Sequence, residues 1–290
     1  MLSSTAMLNL LTKPLSLLPL KVIHKLGASI GKAMYLLMPN ARSVIEENTK
    51  QAGFSQHDLK SFILKNMQEN GKAILESLAI WQKNSQQTLT WVKSCNNWDI
   101  VEKAITRKKG IIFLTPHMGC FEITSIFYGA HYPITVLFRQ PKRKWLSALI
   151  LKGRSHNQVH LAPANTNGVR KLLQALKRGE AIGILPDQIP AKGEGEWAPF
   201  FGKPAYTMLL ASKLAEKTGA TVIMAYGERL PDGAGFEIHL TELPEGGIAT
   251  PTLLNLAIEK QIAQNPTQYL WSYPRYKVRK RLLKKQQENH

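Results

Sequence analysis

The feature that most constrains this fold is an alternation of short apolar runs with helical runs, which begins at Gly110. Six runs have the length and composition of strands: 110–115, 134–139, 158–163, 181–187, 221–228 and 236–241. Four runs of helical character lie between them, at about 119–130, 142–153, 167–178 and 206–218. Continuous apolar runs are typical of parallel strands covered by helices on both faces. The sequence therefore predicts an α/β fold with a mixed, largely parallel sheet flanked by helices.

A helical region precedes this alternation. From about Ser55 to Trp81 the apolar residues recur near helical spacing, which predicts one long helix. Residues 7–39 are rich in leucine, but four lysines and two prolines interrupt them. They contain no uninterrupted apolar span of 18 residues, which disfavours a simple transmembrane helix. A signal peptide fits poorly because the lysines lie within and after the apolar runs and no A-x-A-like site follows. We expect an interfacial helix with its lysines at the lipid headgroups, an ordinary core helix being the alternative. The predicted division is a membrane-associating helical segment at 1–40 and an α/β domain at 41–290.

The charge of the chain indicates acidic partners. Its formal net charge is +18 and its pI is near 9.9, which suits nucleic acid, an anionic membrane surface, an acidic protein or an acidic substrate. The two cysteines, Cys95 and Cys120, form no CxxC pair and no disulfide framework. This cysteine content is typical of a protein from a reducing compartment.

Polar residues follow several of the predicted strands. His117 follows the first strand, Arg139 ends the second, Asp187 follows the fourth, and Glu228 and Arg229 follow the fifth. In open α/β sheets the ligand crevice lies beyond the carboxyl ends of the strands, so we expect a site there. The long segment 187–207 contains an aromatic patch and several prolines and glycines, which predicts a hydrophobic lid or wall over that site.

The stretch "TPHMGCFE" (115–122) places His117 in a turn and Glu122 in the first turn of the next helix. A carboxylate there can orient one imidazole nitrogen and leave the other as a base for a hydroxyl that attacks an acyl group. Nearby backbone N–H groups would then receive the oxyanion. Three alternatives remain at this point. His117 could be structural, Cys120 could be a nucleophile paired with it, or the residues could bind zinc, although H-E-x-x-H and Cys/His clusters are absent.

Several blocks resemble one known family. "TPHMGCFE" resembles the H-x4-[DE] block of the glycerolipid and lipid A acyltransferase superfamily. Six further blocks occur in the order seen in the late acyltransferases of bacterial lipid A biosynthesis, the lauroyl and myristoyl transferases. These blocks are "VLFRQP", "LKGR", "LLQALKRGEAIGILPDQ", "APFFGKPAYT", "SKLAEKTGATVIMA" and "NPTQYLWSYPRYK". The resemblance covers roughly residues 5–280.

This resemblance implies an enzyme that moves a fatty acyl group from acyl-carrier protein to a hydroxyl of a lipid A precursor, at the cytoplasmic face of the inner membrane. The blocks carry over His117 as general base and Glu122 as its orienting carboxylate. They also carry over a set of substrate-binding residues: Arg139 and Arg154 for acidic groups of the acceptor, and Asp187 and Gln188 of the "PDQ" block. No metal or other cofactor is implied. The anionic glycolipid, the acidic carrier protein and the membrane surface all suit the charge of +18.

The C-terminal block departs from the family. After "YLW" the family carries a histidine and paired basic residues, whereas this chain has "SYPRYK" (272–277). A basic contact from this block to the acceptor is therefore in doubt, and the acceptor could be another lipid, such as a lysophospholipid, an aminolipid or a phosphoglycolipid. The basic tail 275–285 predicts either a solvated helix end or membrane-surface binding. It lacks interleaved aromatic residues, which disfavours nucleic acid, although a non-catalytic lipid- or nucleic-acid-binding protein remains an alternative.

Overall fold

The computed structural model describes residues 12–54, 58–141, 144–154 and 157–277, with the side chains of 144–146 excepted. Residues 12–17 are helical, and the helices after them are α1 Leu20–Leu37, α2 Pro39–Gln51, α3 Leu59–Ile80, α4 Ser85–Leu89, α5 Trp98–Thr106, α6 Phe121–Gly129, α7 Lys144–Arg154, α8 Thr166–Lys177, α9 Leu210–Thr218 and α10 Pro251–Gln264. The strands are β1 Val92–Asn96, β2 Ile111–Leu114, β3 Ile134–Phe138, β4 Val159–Pro163, β5 Ala181–Ile184, β6 Gly195–Phe200, β7 Lys203–Met208, β8 Thr221–Arg229 and β9 Phe236–Glu242. Single 3₁₀ turns lie at Pro231–Gly233 and Pro266–Gln268.

Seven strands form one sheet in the order β1-β9-β8-β2-β5-β3-β4. Every neighbouring pair is parallel except β8 and β9, which are antiparallel because only a short turn joins them. The central strands β2 and β5 are buried along their whole length, as continuous apolar runs predict. The six predicted strands and the helices between them are confirmed. The edge strand β1 was not predicted, since "VKSCN" alternates weakly and is half exposed.

The register of the sheet brings two distant loops together. Leu114, the last residue of β2, lies opposite Ile184, the last residue of β5. His117 and Asp187 each follow three residues later, so both side chains leave the sheet at the same edge and the same height. The predicted site at the carboxyl edge of the sheet follows from this pairing.

The segment 187–207 forms a hairpin rather than a loose lid. Strands β6 and β7 pair in antiparallel register. Phe200 is 1% exposed, and the side chain of Asn255 on α10 donates to the Pro199 carbonyl at 2.8 Å. The hairpin is therefore anchored on the core, which agrees with a wall beside the site.

Helices α1 and α3 cross at very short range through glycines. A Cβ at Gly31 would lie 2.2 Å from the Met67 carbonyl oxygen, and a Cβ at Gly71 would lie 2.1 Å from the Gly27 oxygen. Only a glycine surface allows two helix backbones to come this close. One face of α1 is thus buried in the protein, as expected for a core helix.

A second face of α1 is apolar and exposed. Leu26, Ile30 and Leu37 are 45%, 40% and 79% exposed. Among the described helices none combines the length and the hydropathy needed to cross a bilayer. The structure confirms the helical character of this region, and its association with a membrane stays a prediction.

Candidate active site

His117 lies in the turn after β2, where it is partly exposed to solvent and contacts the buried carboxylate of Asp187. Its side chain is 17% exposed, and Nδ1 lies 2.9 Å from Oδ1 of Asp187, which is 3% exposed. The His117 backbone N–H donates to the other oxygen, Oδ2, at 3.1 Å. The carboxylate therefore fixes both the ring and the backbone of His117.

This contact defines the chemistry of the histidine. Burial alone would raise the pKa of Asp187, but the adjacent His117 outweighs it, and the pKa lies below its usual value. An ionised Asp187 accepts a hydrogen bond from Nδ1–H of His117, so Nε2 carries the lone pair of the ring. The amide of Gln188 lies 3.2 Å from Nε2 and can donate to it. Nε2 is thus the atom available as a base, and both residues of the "PDQ" block contact the histidine.

Glu122 has a different partner from the one expected. Its carboxylate accepts from Nε of Arg154 at 2.8 Å to Oε2, and Nη2 of Arg154 donates to Oε1. Glu122 is 3% exposed in this bidentate pair. The expected orientation of His117 by Glu122 is therefore wrong, because Asp187 occupies Nδ1 and Arg154 occupies Glu122.

The same pair changes the expected role of Arg154. Two donors of its guanidinium are committed to Glu122, and its charge is neutralised there. Arg139 lies at the end of β3, is exposed, and forms no ion pair with any residue in the described ranges. Of the two arginines, Arg139 has the charge to offer to an acidic substrate.

The backbone amides of the turn are already used. Met118 N donates to Pro116 O, Gly119 N to Gln268 O at 3.0 Å, and Cys120 N to Gly227 O at 2.8 Å. Together with the His117 amide this commits all four N–H groups from 117 to 120. These four amides are therefore not available to receive an oxyanion.

Gly119 allows that arrangement. Its φ of +56° favours glycine, and a Cβ there would lie 2.1 Å from the Gly227 oxygen. The turn is consequently pressed against the end of β8.

His117 opens onto a cavity of about 770 Å³. Arg139, Gln188 and Lys213 of α9 line it together with apolar residues, and Glu194 supplies one carboxylate. A second cavity runs between the sheet and α6 and is narrow, at about 40 Å³. Its lining is mostly apolar, and Trp98, Phe127 and Tyr128 belong to it.

Three residues line both cavities: Phe121, Arg154 and Leu185. The Glu122–Arg154 pair therefore stands where the open, partly basic cavity meets the narrow apolar one. This arrangement suits a substrate with a polar head and an apolar chain.

The block "SYPRYK" (272–277), which departs from the family pattern, contributes a buried arginine to the packing of the fold. Arg275 is 3% exposed, and it donates from Nη1 to Tyr206 O at 2.7 Å and from Nη2 to Thr207 Oγ1 at 2.8 Å. It holds strand β7 and does not reach a substrate. Most of the predicted basic tail, from residue 278 onward, lies outside the described residues.

The rival chemistries have weaker support. Cys120 is 2% exposed, and burial raises the pKa of its thiol well above the usual value, which disfavours a thiolate nucleophile. Within the described ranges Glu228, Glu237 and His239 could together hold a metal ion, their ligand atoms lying within 4.8 Å of one another. His239 Nε2 is 2.8 Å from Glu228 there, and this group lies on β8 and β9 rather than beside His117.

Sequence reasoning named His117, Asp187 and Gln188 but did not pair them. The usable signal was the equal spacing of His117 and Asp187 from the ends of strands β2 and β5. This spacing indicates a contact only when β2 and β5 are neighbours in the sheet. Lys213 and the segment 266–271 behind the turn lie inside quoted family blocks, but no role in the site was predicted for either of them.

Comparison with known proteins identifies the family of this chain. Residues 4–278 match the bacterial lipid A biosynthesis acyltransferase family. The lipid A biosynthesis palmitoleoyltransferase of Escherichia coli (strain K12) is 26% identical over 90% of this chain and 87% of its own length. The lauroyltransferase of the same organism is 23% identical over the same shares, and a lipid A biosynthesis acyltransferase of Haemophilus influenzae is 23% identical over 90% of this chain and 86% of its own. Because this match spans most of its length, the chain belongs to the bacterial lipid A biosynthesis acyltransferases and is an acyltransferase.

Proposed function

We propose that this acyltransferase moves a fatty acyl group from the thioester of acyl-carrier protein to a hydroxyl of a lipid A precursor. The observation that carries the proposal is His117, whose Nε2 faces a wide cavity while Asp187 holds its Nδ1. Nε2 removes the proton of the acceptor hydroxyl as its oxygen attacks the thioester carbonyl. The C–S bond then breaks, and the leaving thiolate takes up the proton that His117 Nε2 now carries.

The charge that develops on the carbonyl oxygen needs a donor close to Nε2. The Gln188 amide lies 3.2 Å from Nε2 and is free to turn toward that oxygen once the hydroxyl takes its place. An ionised Asp187 stabilises the imidazolium that forms at the same moment. No metal or other cofactor is needed for this step.

The two cavities fit the two substrates. The narrow apolar cavity takes the acyl chain, and its lining must move apart to do so because it is tight in this conformation. The wide cavity takes the glycolipid, whose acidic groups contact Arg139 and Lys213. The Glu122–Arg154 pair holds the junction between them.

The surface supports a place at the cytoplasmic face of the inner membrane. The exposed apolar face of α1 carries Lys25 and Lys32 beside it, and this combination suits an interface with anionic lipid. The same positive charge attracts acidic acyl-carrier protein. These two partners account for the positive charge without a nucleic-acid-binding role.

Mass spectrometry tests the proposal. Purified protein is incubated with acyl-carrier protein thioester and either a lipid A precursor or a lysophospholipid. We expect the precursor to gain the mass of one acyl ester and the lysophospholipid to stay unchanged. Acylation of the lysophospholipid alone would show that the acceptor is a lysophospholipid and not a lipid A precursor. Transfer from acyl-coenzyme A but not from the carrier protein would show that the donor is acyl-coenzyme A.

A further inference from the structure

The segment 266–271 lies directly behind the catalytic turn. Leu270 N donates to His117 O at 2.9 Å, and Gly119 N donates to Gln268 O at 3.0 Å. Met118 and Tyr269 face each other in an antiparallel bridge between these hydrogen bonds. The turn that carries His117 is therefore paired with this segment like one strand with another.

The side chain of Gln268 fixes the segment to the end of β8. Its Oε1 accepts from Arg229 N at 2.9 Å and its Nε2 donates to Arg229 O at 2.8 Å. Gln268 is 9% exposed, so both bonds are shielded from water. One residue thus binds the catalytic turn through its backbone and Arg229 through its side chain.

Arg229 is itself locked in place. Its side chain is 1% exposed and donates to Glu69 at 2.7 Å and to Glu76 at 2.8 Å, both on α3. His24 on α1 lies 2.9 Å from the same Glu76 carboxylate. A buried charge cluster therefore joins α1, α3 and the end of β8 at a fixed point.

We infer that Gln268 is a positioning residue for His117, because it transmits the fixed position of Arg229 to the catalytic turn. General-base catalysis requires Nε2 within hydrogen-bond distance of the acceptor hydroxyl, and an error of about 1 Å can lower the rate roughly 100-fold. Gln268 does not touch substrate and sets where the base stands. This inference rests on the proposed function of His117.

Gln268→Met tests it, since methionine keeps the length of the side chain and loses both hydrogen bonds to Arg229. We expect kcat to fall roughly 10- to 100-fold with KM for both substrates unchanged. Gln268→Glu keeps an acceptor for Arg229 N but places a carboxylate oxygen against the Arg229 carbonyl oxygen, so its kcat should also fall.

Gln261 provides a matched control. It is another buried glutamine, 4% exposed, whose Nε2 donates to Ala225 O of β8 at 2.9 Å without reaching the catalytic turn. Gln261→Met removes a buried side-chain hydrogen bond to β8 and should leave kcat unchanged. Equal losses of kcat in the two variants would show a general loss of structure and overturn the inference.

A double variant separates positioning from any other effect. In the His117→Ala background, Gln268→Met should not lower the residual rate further, because it acts through His117. A further loss of about the same factor would contradict the inference, as would a fully active Gln268→Met enzyme. If the wild-type protein itself shows no acyl transfer, the proposed function fails, which is a different outcome from an active wild type with active Gln268 variants.

Discussion

The family blocks contain two carboxylates close to the turn of His117 in the fold, Asp187 and Glu122, and these carboxylates have different partners in the structure. Asp187 leaves the sheet beside His117 and contacts its Nδ1, whereas Glu122 lies one helical turn on and contacts Arg154. A carboxylate can satisfy only a few donors at once, and a bidentate arginine fills both oxygens of Glu122. At this site the residue far away in the sequence is the closer neighbour.

The Glu122–Arg154 pair predicts a strong stability effect. Glu122→Gln leaves the largely buried guanidinium of Arg154 without its counter-charge, so we expect the free energy of unfolding to fall by about 3 kcal/mol. Urea denaturation followed by circular dichroism measures it. The control is Glu46→Gln, because Glu46 pairs with Lys50 on the exposed face of α2 and should change stability little. Equal effects in the two variants would contradict a structural role for the Glu122 pair.

Sequence alone identified the polar residues of the site but not their pairing. His117, Asp187 and Gln188 could be named because family blocks and strand ends mark them. Their contacts depend on β5 lying next to β2, which no local pattern reveals. Lys213 lies on a helix whose lysines look like ordinary surface residues, so its place on the cavity was not predictable.

At the scale of elements, periodicity predicted the central strands and helices because their burial is continuous. It failed where elements are short, edge-like or twisted into a hairpin. β1 is only half buried, and β6 and β7 contain prolines and glycine that resemble a loop. The contact of α1 with α3 also escaped prediction. Gly27 and Gly31 form the contact surface of α1.

The α1–α3 crossing predicts a large effect from one methyl group. Gly31→Ala would place its Cβ 2.2 Å from the Met67 oxygen, and because that atom belongs to the backbone the helices must separate. We expect a loss of about 1–3 kcal/mol in the free energy of unfolding. Ser29→Ala on the exposed side of the same helix should be neutral or slightly stabilising. A neutral Gly31→Ala variant would show that the two helices are not packed at this distance.

At the scale of the whole molecule, the buried cluster makes stability depend on pH. Burial would raise the pKa of Glu76, but Arg229 and His24 outweigh it and lower the pKa to about 2. A carboxyl whose pKa is lower in the folded state stabilises fully above its unfolded value of 4.5, and this contribution disappears as the pH falls toward 2. Glu69, Lys72 and the Cys120 thiol also face this cluster.

We therefore expect the free energy of unfolding to fall steeply between about pH 4.5 and pH 2. Thermal melts at a series of pH values measure this dependence. Glu76→Gln should be less stable at neutral pH and should show a shallower fall in acid, because the titrating group is gone. A variant with the same slope as the wild type would place the acid sensitivity elsewhere.

The charge and the apolar face of α1 together predict membrane binding. Replacing Leu26, Ile30 and Leu37 with glutamine should weaken sedimentation with phosphatidylglycerol vesicles and leave the melting temperature unchanged, because these side chains are exposed. Added salt should release only part of the wild-type protein, since it screens the charge and leaves the apolar contact. Leu253 and Leu256 on α10 are similarly exposed, and their replacement by glutamine is the control. Equal binding by the triple variant and the wild type would exclude α1 as the contact.

Deletion of the N-terminal segment is a poorer test than these substitutions. Removal of α1 would take away His24 and uncover the glycine surface of α3 and the buried carboxylate of Glu76. Loss of activity in such a deletion would then reflect damage to the core. Point substitutions on the exposed face avoid this ambiguity.

The measurement that tests the central claim most directly is the single-turnover rate of acyl transfer by the His117→Ala variant. Positioned general bases contribute roughly 10²–10⁴-fold, so we expect this rate to fall at least 100-fold while the melting temperature stays near that of the wild type. Asp187→Asn should also lose activity, because it removes the negative charge that stabilises the imidazolium of His117. A His117→Ala enzyme that transfers the acyl group at the wild-type rate would contradict the account.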